Sequence, residues 1–217
     1  IENNEEAKVI SQKNLVDYVN PLMGTDSEYI LSNGNTYPAI ATPWGMNFWT
    51  PMTSKMGDGW TYKYDEYKIR GIKQTHQPSP WINDYAAFSL MATTGDLKFQ
   101  ESERASWFSH KAETAKPYHY SAYLADYDVV AEVTPTSRAA HFQFTFPEED
   151  TSYIILDAFF KGSEVKILPE ERKIIGYCRN NRGGVPENFH NYFVAQFDKD
   201  FEITHTWKDN WKLQKNN

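Results

Sequence analysis

The stretch His141-Phe142-Gln143-Phe144-Thr145-Phe146 decides the fold class, because apolar and polar residues alternate strictly along it. A period of two places the three phenylalanines on one face of a β-strand and the polar side chains on the other. Residues 129–133, 192–197 and 201–207 show the same pattern, and 152–160 is a short, largely apolar run. Short strands separated by Pro, Gly, Asp and Asn are typical of an antiparallel sandwich. We therefore predict two packed antiparallel sheets, with strands over residues 129–133, 141–146, 152–156, 192–197 and 201–206.

The first part of the chain lacks this regularity, and the Gly-, Pro- and Asn-rich stretch from Pro21 to about Pro51 is predicted to be structured loop with brief strands. Residues 1–13 are polar and charged, as expected of a flexible arm. A helical turn is predicted over 14–20, with Leu15 and Val19 on one face and Pro21 ending it. Residues 14–207 form one β-sandwich domain in this interpretation, and 208–217 begin a linker.

Composition excludes several classes of protein. The net charge is −7, whereas nucleic-acid binding needs clustered Lys and Arg. No apolar run approaches the roughly 18 residues of a membrane span, and no signal peptide opens the chain. The single cysteine, Cys178, excludes an internal disulfide.

The first aromatic-rich segment holds four of the seven tryptophans, at positions 44, 49, 60 and 81. A tryptophan in such a segment is either a packing residue or a stacking platform for a ligand. Packing in the core is the more common role, and we expect it for Trp44, Trp49 and Trp81. Trp60 differs because it ends a Gly57-Asp58-Gly59-Trp60 turn, in which glycines allow the chain to bend sharply and present the ring.

A second candidate loop spans residues 74–85, where Pro78 and Pro80 prevent regular structure. Its polar residues include His76 and Asp84, which are suited to hydrogen bonds with hydroxyl groups of a ligand. The alternative is that Asn and Asp side chains only stabilise the turn itself.

Other reactive groupings are weak in this sequence. The histidines have no HExxH spacing, and there is no GxSxG, P-loop or GxGxxG motif. Arg179 and Arg182 follow Cys178 and would lower the pKa of its thiol, although a buried, inert cysteine is the more common case.

Four segments, in order along the chain, resemble glycoside hydrolase family 92 α-mannosidases. The opening is similar to that family's YVNPFIGTD-type segment, and later segments resemble its TFPGA-x-x-PFGM, G-W with GF-x-x-TH, and YFVAEF stretches. The corresponding residues are Tyr18-Val19-Asn20-Pro21-Leu22-Met23-Gly24-Thr25-Asp26, Thr36-Tyr37-Pro38-Ala39-Ile40-Ala41-Thr42-Pro43-Trp44-Gly45-Met46, Gly59-Trp60 with Gly71-Ile72-Lys73-Gln74-Thr75-His76, and Tyr192-Phe193-Val194-Ala195-Gln196-Phe197. Leu22, Ala39 and the insertion at 27–35 depart from the family pattern, which puts linkage specificity in question.

The resemblance implies a mainly β fold, a galactose-mutarotase-like supersandwich that packs against an (α/α)6 barrel absent from this chain. It implies a secreted, periplasmic or cell-surface bacterial exo-α-mannosidase that acts on mannose-containing glycans with inversion and depends on Ca²⁺. In the family, the acid, the base and the calcium ligands come from the helical domain. We therefore predict no catalytic or metal-binding residue here, and expect this chain alone to be inactive.

The resemblance also implies which residues of this chain line the sugar pocket. Trp60 matches a tryptophan of the pocket wall, while Asp58, His76 and Asp84 are candidates for hydrogen bonds to sugar hydroxyls. Gly24 and Thr25 are expected along the approach, and Cys178 at the same edge.

Two other functions remain open from the sequence. A free-standing carbohydrate-binding module would need an exposed Trp or Tyr platform. An aldose epimerase-like sandwich would need a His acid and a Glu base facing one groove, and no spacing here demands that pair.

Overall fold

The computed structural model describes residues 14–26, 36–55, 61–75, 85–148, 151–159, 162–181, 183–202, 205–208 and 212–215. Strands dominate it, accompanied by two short 3₁₀ turns at Leu15–Tyr18 and Pro169–Glu171. The strands are β1 (Phe48–Met52), β2 (Lys68–Ile69), β3 (Gly71–Thr75), β4 (Ser89–Thr94), β5 (Ser106–Trp107), β6 (Thr114–Lys116), β7 (His119–Leu124), β8 (Val129–Pro135), β9 (Ala140–Thr145), β10 (Ser152–Asp157), β11 (Glu164–Leu168), β12 (Lys173–Cys178), β13 (Asn191–Gln196), β14 (His205–Lys208) and β15 (Lys212–Lys215).

Two four-stranded sheets form the sandwich. The first has the strand order β1-β3-β4-β10 and the second β6-β7-β8-β9. A three-stranded sheet, β11-β12-β13, and the pairs β2-β5 and β14-β15 complete the described structure. All the strand pairings within these sheets are antiparallel, which confirms the predicted mainly β, antiparallel sandwich.

The core lies between the two four-stranded sheets and follows the period-two pattern. Alternate residues of β8 are buried, beginning with Val129. In β9, Phe142 and Phe144 pack against the core while His141 and Gln143 are exposed, as the sequence predicts. Trp49 of β1 meets Phe142 edge-on with ring centroids 5.0 Å apart, so an aromatic contact joins the two sheets.

The first sheet is buried on both faces at its centre. All five residues of β3 are buried, and so are five of the six in β4. Because strand side chains alternate, Ile72 faces the apolar core while Lys73 and Thr75 project from the opposite face. On that opposite face, Lys73 donates a hydrogen bond to Thr61.

Two details differ from the sequence prediction. The predicted strand over 201–206 is wrong at its start: Phe201 is not in a strand, and its ring packs against Phe197 at 4.9 Å. The strand begins instead at His205 and pairs with Lys212–Lys215, a stretch predicted to be linker. The domain boundary at residue 208 thus stays a prediction, although the chain beyond it forms a strand.

The predicted helical turn exists as Leu15–Tyr18, but its apolar side chains do not pack inward. Leu15 is 86% exposed and Val19 50% exposed. Among the described residues, no helix is both long and apolar enough to cross a membrane.

Candidate functional site

Four of the seven predicted site residues, Asp58, Trp60, His76 and Asp84, lie outside the described residues. The structure describes the chain on both sides of them. We call residues 53–61 the first loop, which carries Asp58 and Trp60, and residues 75–85 the second loop, which carries His76 and Asp84. We describe the candidate site through the residues that flank these two segments, and we call them the bases of the two loops.

The base of the first loop is closed by backbone hydrogen bonds. The amides of Thr53 and Ser54 donate to the carbonyl of Thr61 at 2.9 and 3.2 Å, and the amide of Lys63 donates to Thr53 Oγ1 at 2.9 Å. From the polar face of β3, Lys73 Nζ donates to Thr61 Oγ1 at 3.0 Å. The two described flanks of the first loop are thus bonded to each other and, through Thr61, to β3 of the first sheet.

The predicted approach residues Gly24 and Thr25 lie beside this base. The Thr25 carbonyl accepts a hydrogen bond from the Tyr64 amide at 3.1 Å, and the Gly24 carbonyl accepts one from Thr36 at 3.3 Å. Gly24 has a φ of 82°, a conformation that favours glycine. Thr25 is only 1% exposed, and its hydroxyl donates to the Leu22 carbonyl at 2.7 Å. Its side chain therefore stabilises a turn and is not directed at solvent.

A buried carboxylate holds the chain immediately after the first loop. The Tyr62 hydroxyl lies 2.9 and 3.1 Å from the two carboxylate oxygens of Glu113, and the Tyr120 hydroxyl donates to the same group at 2.6 Å. His110 Nδ1 lies 2.9 Å from Glu113 Oε2. We call Tyr62, His110, Glu113 and Tyr120 the Glu113 cluster.

The cluster is closed to solvent. Tyr62, Tyr120 and the Glu113 side chain are all 0% exposed. Burial, reinforced by the Glu113 charge, raises the pKa of both tyrosine hydroxyls well above its ordinary value. Both hydroxyls therefore stay protonated and available as donors to the carboxylate.

Aromatic packing extends this anchor along the chain after the first loop. The His110 ring stacks on Tyr64 with centroids 4.2 Å apart, and it also contacts Tyr67 and Phe108 at 5.4 and 4.8 Å. The Phe108 amide donates to the Tyr67 carbonyl at 3.0 Å. Residues 62–67 are thus held both by hydrogen bonds and by ring contacts.

The base of the second loop is closed by one neutral side chain. The side-chain amide of Asn191 donates through Nδ2 to Gln74 Oε1 at 3.0 Å and to the Ala86 carbonyl at 2.9 Å. Gln74 precedes the loop and Ala86 follows it, so Asn191 bridges its two ends. The Ala86 amide also donates to the Asn180 carbonyl at 2.6 Å.

A short chain of contacts joins the two bases. The Tyr37 hydroxyl lies 2.6 Å from Thr75 Oγ1 at the start of the second loop. The neighbouring Thr36 bonds to Gly24, and Thr25 bonds to Tyr64 after the first loop. The segments that flank the predicted site residues therefore form one connected region.

Cys178 lies under the second base, opposite Asn191 in the β12–β13 pairing. It is 0% exposed, and burial raises the pKa of its thiol to about 12, with the nearby Asp157 charge adding to the effect. The buried, inert cysteine that the sequence favours is thereby confirmed, and the alternative of a thiol with a lowered pKa is wrong, because desolvation disfavours the thiolate. The thiol is inert at neutral pH and does not reach the surface, so the expected contact of Cys178 with the pocket edge has no support from its position.

The tryptophans separate into different environments. Trp49 is 5% exposed and packs edge-on against Phe88 at 5.7 Å, which confirms the predicted core role. Trp44 is 99% exposed, so the same prediction is wrong for it. Its positive φ of 60° belongs to a tight turn that leads the ring away from the fold. Trp60 and Trp81 lie outside the described residues.

Sequence reasoning missed the residues that close the loops: Tyr62, Glu113 and Asn191. Glu113 follows Lys111 in a polar stretch that resembles solvated surface, and its partners lie 51 residues before it and seven after it. No local spacing could reveal such a cluster.

The described residues do not provide a metal site. None of their His, Cys, Asp and Glu side chains form a group of three or more that could hold an ion.

The comparisons with known proteins cover most of the chain. Residues 18–217 match the model of the glycosyl hydrolase family 92 N-terminal domain. The chain belongs to glycoside hydrolase family 92. The resemblance drawn from the sequence motifs is thereby confirmed, and the described sandwich is the N-terminal domain of that family.

Solved family 92 structures agree in fold and sequence. The inverting mannosidase BT2199 from Bacteroides thetaiotaomicron VPI-5482 superimposes with a TM-score of 0.89 and 46% identity, over 95% of this chain. The α-mannosidase BT3965 from Bacteroides thetaiotaomicron, in complex with mannoimidazole, gives a TM-score of 0.74 and 32% identity over 87%. This chain spans only 28% and 26% of those two proteins. No functionally curated protein matches it.

Proposed function

We propose that this chain is the N-terminal domain of an exo-acting α-mannosidase that hydrolyses terminal α-mannosides with inversion and requires Ca²⁺. The observation that carries the proposal is the 46% identity to an inverting mannosidase over 95% of this chain. Its partners would be a mannose-containing glycan and its own C-terminal (α/α)6 domain. A secreted, periplasmic or cell-surface location in a bacterium follows from such a substrate.

The chemistry itself is assigned to the rest of the protein. Inversion needs a carboxylic acid and a carboxylate base about 6.5–9.5 Å apart, with a water between them. Glu113 is unsuited to either role, because two tyrosines and a histidine already contact its buried carboxylate. Calcium, when bound elsewhere in the protein, would coordinate sugar hydroxyls.

This domain would supply part of the pocket wall. Trp60 would stack on the terminal sugar, and Asp58, His76 and Asp84 would bond its hydroxyls. The hydrogen-bonded bases of the two loops support this role, since a pocket wall must be held in place to discriminate between sugars. Gly24 and Thr25 would contribute through backbone atoms at the approach, because the Thr25 side chain is already bonded.

The test compares the full-length protein with the 217-residue chain, each incubated with an α-linked mannobiose and Ca²⁺. The full-length protein should release mannose, first as the β-anomer in time-resolved NMR, and a chelator should abolish the release. The chain alone should release none. Release of the α-anomer, or turnover by the chain alone, would contradict the proposal. Glycan binding without hydrolysis by the full-length protein would favour a carbohydrate-binding module.

A further inference from the structure

Two tyrosines with exposed rings lie on the chain between the first loop and β2. Tyr64 is 39% exposed and Tyr67 is 52% exposed, and both rings contact that of His110. The two contacts differ in geometry. The Tyr64 ring lies nearly parallel to His110, at an interplanar angle of 15°, whereas the Tyr67 ring is tilted by 56°. Tyr64 is therefore the ring that lies flat against its neighbour.

The ring behind Tyr64 is itself held in place. The His110 side chain is only 10% exposed, and its Nδ1 lies 2.9 Å from Oε2 of the buried Glu113. Phe108 packs edge-on against the same ring at 4.8 Å. One face of Tyr64 thus rests on an anchored ring, and its exposed part lies on the side away from His110. A ring oriented in advance loses little freedom when a ligand stacks on it.

The backbone places Tyr64 next to the predicted approach to the sugar pocket. Its amide donates to the carbonyl of Thr25 at 3.1 Å, and Thr25 directly follows Gly24. A turn fixes this part of the chain, since the Glu66 amide donates to the Lys63 carbonyl at 3.2 Å. A ring at the approach, outside the pocket, would meet a sugar unit that follows the terminal one.

The residues that follow Tyr64 favour a sugar over a packed protein surface. Asp65 and Glu66 are both exposed carboxylates. The centre of a protein–protein interface is depleted in charged residues, because such groups would lose their water there. A pyranose ring differs from a protein surface in carrying both kinds of group. Its C–H groups can stack on the face of a tyrosine, and its hydroxyls can donate to neighbouring carboxylates.

We propose that Tyr64 is a substrate-binding residue: its exposed face stacks on the sugar unit that follows the terminal mannose of the glycan. The inference rests on the proposed function for the identity of that glycan. The effect of Tyr64 should therefore be largest with substrates that contain such a second sugar.

The first measurement is hydroxyl-radical footprinting of the full-length protein, with and without a thio-linked α-mannotriose that resists hydrolysis. Tyr64 should be oxidised in the free protein and protected several-fold by the saccharide. Tyr123, which is 41% exposed in β7, is the matched control and should react equally in both samples. No oxidation of Tyr64 in the free protein would show that the rest of the polypeptide covers it. That result, or equal oxidation with and without the saccharide, would overturn the proposal.

The second measurement is the kinetics of the full-length protein on α-mannotriose and on α-mannosyl fluoride, which carries only the terminal mannose. Tyr64→Ala should lower kcat/KM for the trisaccharide about five- to a hundredfold more than for the fluoride, mainly through KM. Tyr64→Phe keeps the ring and should retain most of the activity on both substrates. Tyr123→Ala should lower neither value selectively.

The two substrates separate stacking from a merely structural role. If Tyr64→Ala lowers kcat/KM equally for both substrates, or for neither, the ring does not bind a second sugar and the proposal fails. An inactive wild-type protein would refute the proposed mannosidase function. The footprinting result would then decide by itself whether Tyr64 binds the saccharide.

Discussion

The two loop bases are closed by different chemistry, although both hold segments predicted to face the sugar. The first depends on a buried carboxylate that contacts two tyrosines and a histidine, and the second on the neutral amide of Asn191. A hydrogen bond to a charged group is worth roughly 1.5–3 kcal/mol, and a neutral one about 1 kcal/mol. The first loop is therefore the more strongly anchored of the two.

The largest effect is expected from removing the carboxylate. Glu113→Ala leaves the hydroxyls of Tyr62 and Tyr120 buried without their acceptor, at a cost of about 1–3 kcal/mol for each. The free energy of unfolding of the chain, measured in urea, should fall by about 3–5 kcal/mol. The exposed Glu103 is the control, since Glu103→Ala should change it by less than about 0.5 kcal/mol. Similar losses for Glu113→Ala and Glu103→Ala would show that the buried carboxylate does not anchor the first base.

A smaller effect is expected at the second base. Asn191→Ala removes two neutral hydrogen bonds and leaves Gln74 Oε1 and the Ala86 carbonyl without this donor. The free energy of unfolding should fall by about 1–3 kcal/mol in the same urea titration. Asn188→Ala, at an exposed position in the preceding turn, should be nearly neutral. If Asn191→Ala costs more than Glu113→Ala, the order of anchoring is reversed.

The smallest expected effect is a loss of folding stability at alkaline pH, caused by Cys178 at the second base. The Cys178 pKa is raised by folding, from 9.0 to about 12, so its contribution to stability is complete below about pH 9 and declines above it. In this range the thiol ionises in the unfolded state but not in the folded one. The free energy of unfolding should therefore fall by about 1.4 kcal/mol between pH 8 and pH 10.

The variant Cys178→Ala isolates that contribution. Tyr62 and Tyr120, whose raised pKa values give the first base its own loss of stability above about pH 10, are present in both proteins and cancel in the difference. The stability advantage of wild type over the variant should therefore shrink from pH 8 to pH 10. A constant advantage would show that the folded thiol titrates normally.

The sequence predicted the sandwich because alternation is a local property. Phe142 and Phe144 pack inward as their spacing requires, and β8, β10 and β13 lie close to their predicted bounds. The predicted strand over 201–206 was wrong at its start, where the Phe201 ring packs against Phe197 and no strand forms.

The site was less predictable, because its supports are contacts between residues far apart in sequence. Asn191 lies 117 residues from Gln74, and nothing local marks it as the residue that closes a loop. Trp44 and Trp49 lie five residues apart and have the same side chain, yet one is exposed and the other is buried. Backbone geometry at Trp44, a left-handed turn, decides the difference.

Trp60 is the most direct probe of whether the first loop presents a sugar-binding wall. In the full-length protein, Trp60→Ala should lower kcat/KM for an α-mannobiose by about five- to a hundredfold, the equivalent of losing about 1–3 kcal/mol of stacking. Its melting temperature should stay close to that of wild type. If Trp60 were buried in the core, its replacement by alanine would instead lower the free energy of unfolding by about 3–5 kcal/mol. A large fall in melting temperature, with activity lost only in proportion to unfolding, would contradict the claim and make Trp60 a core residue.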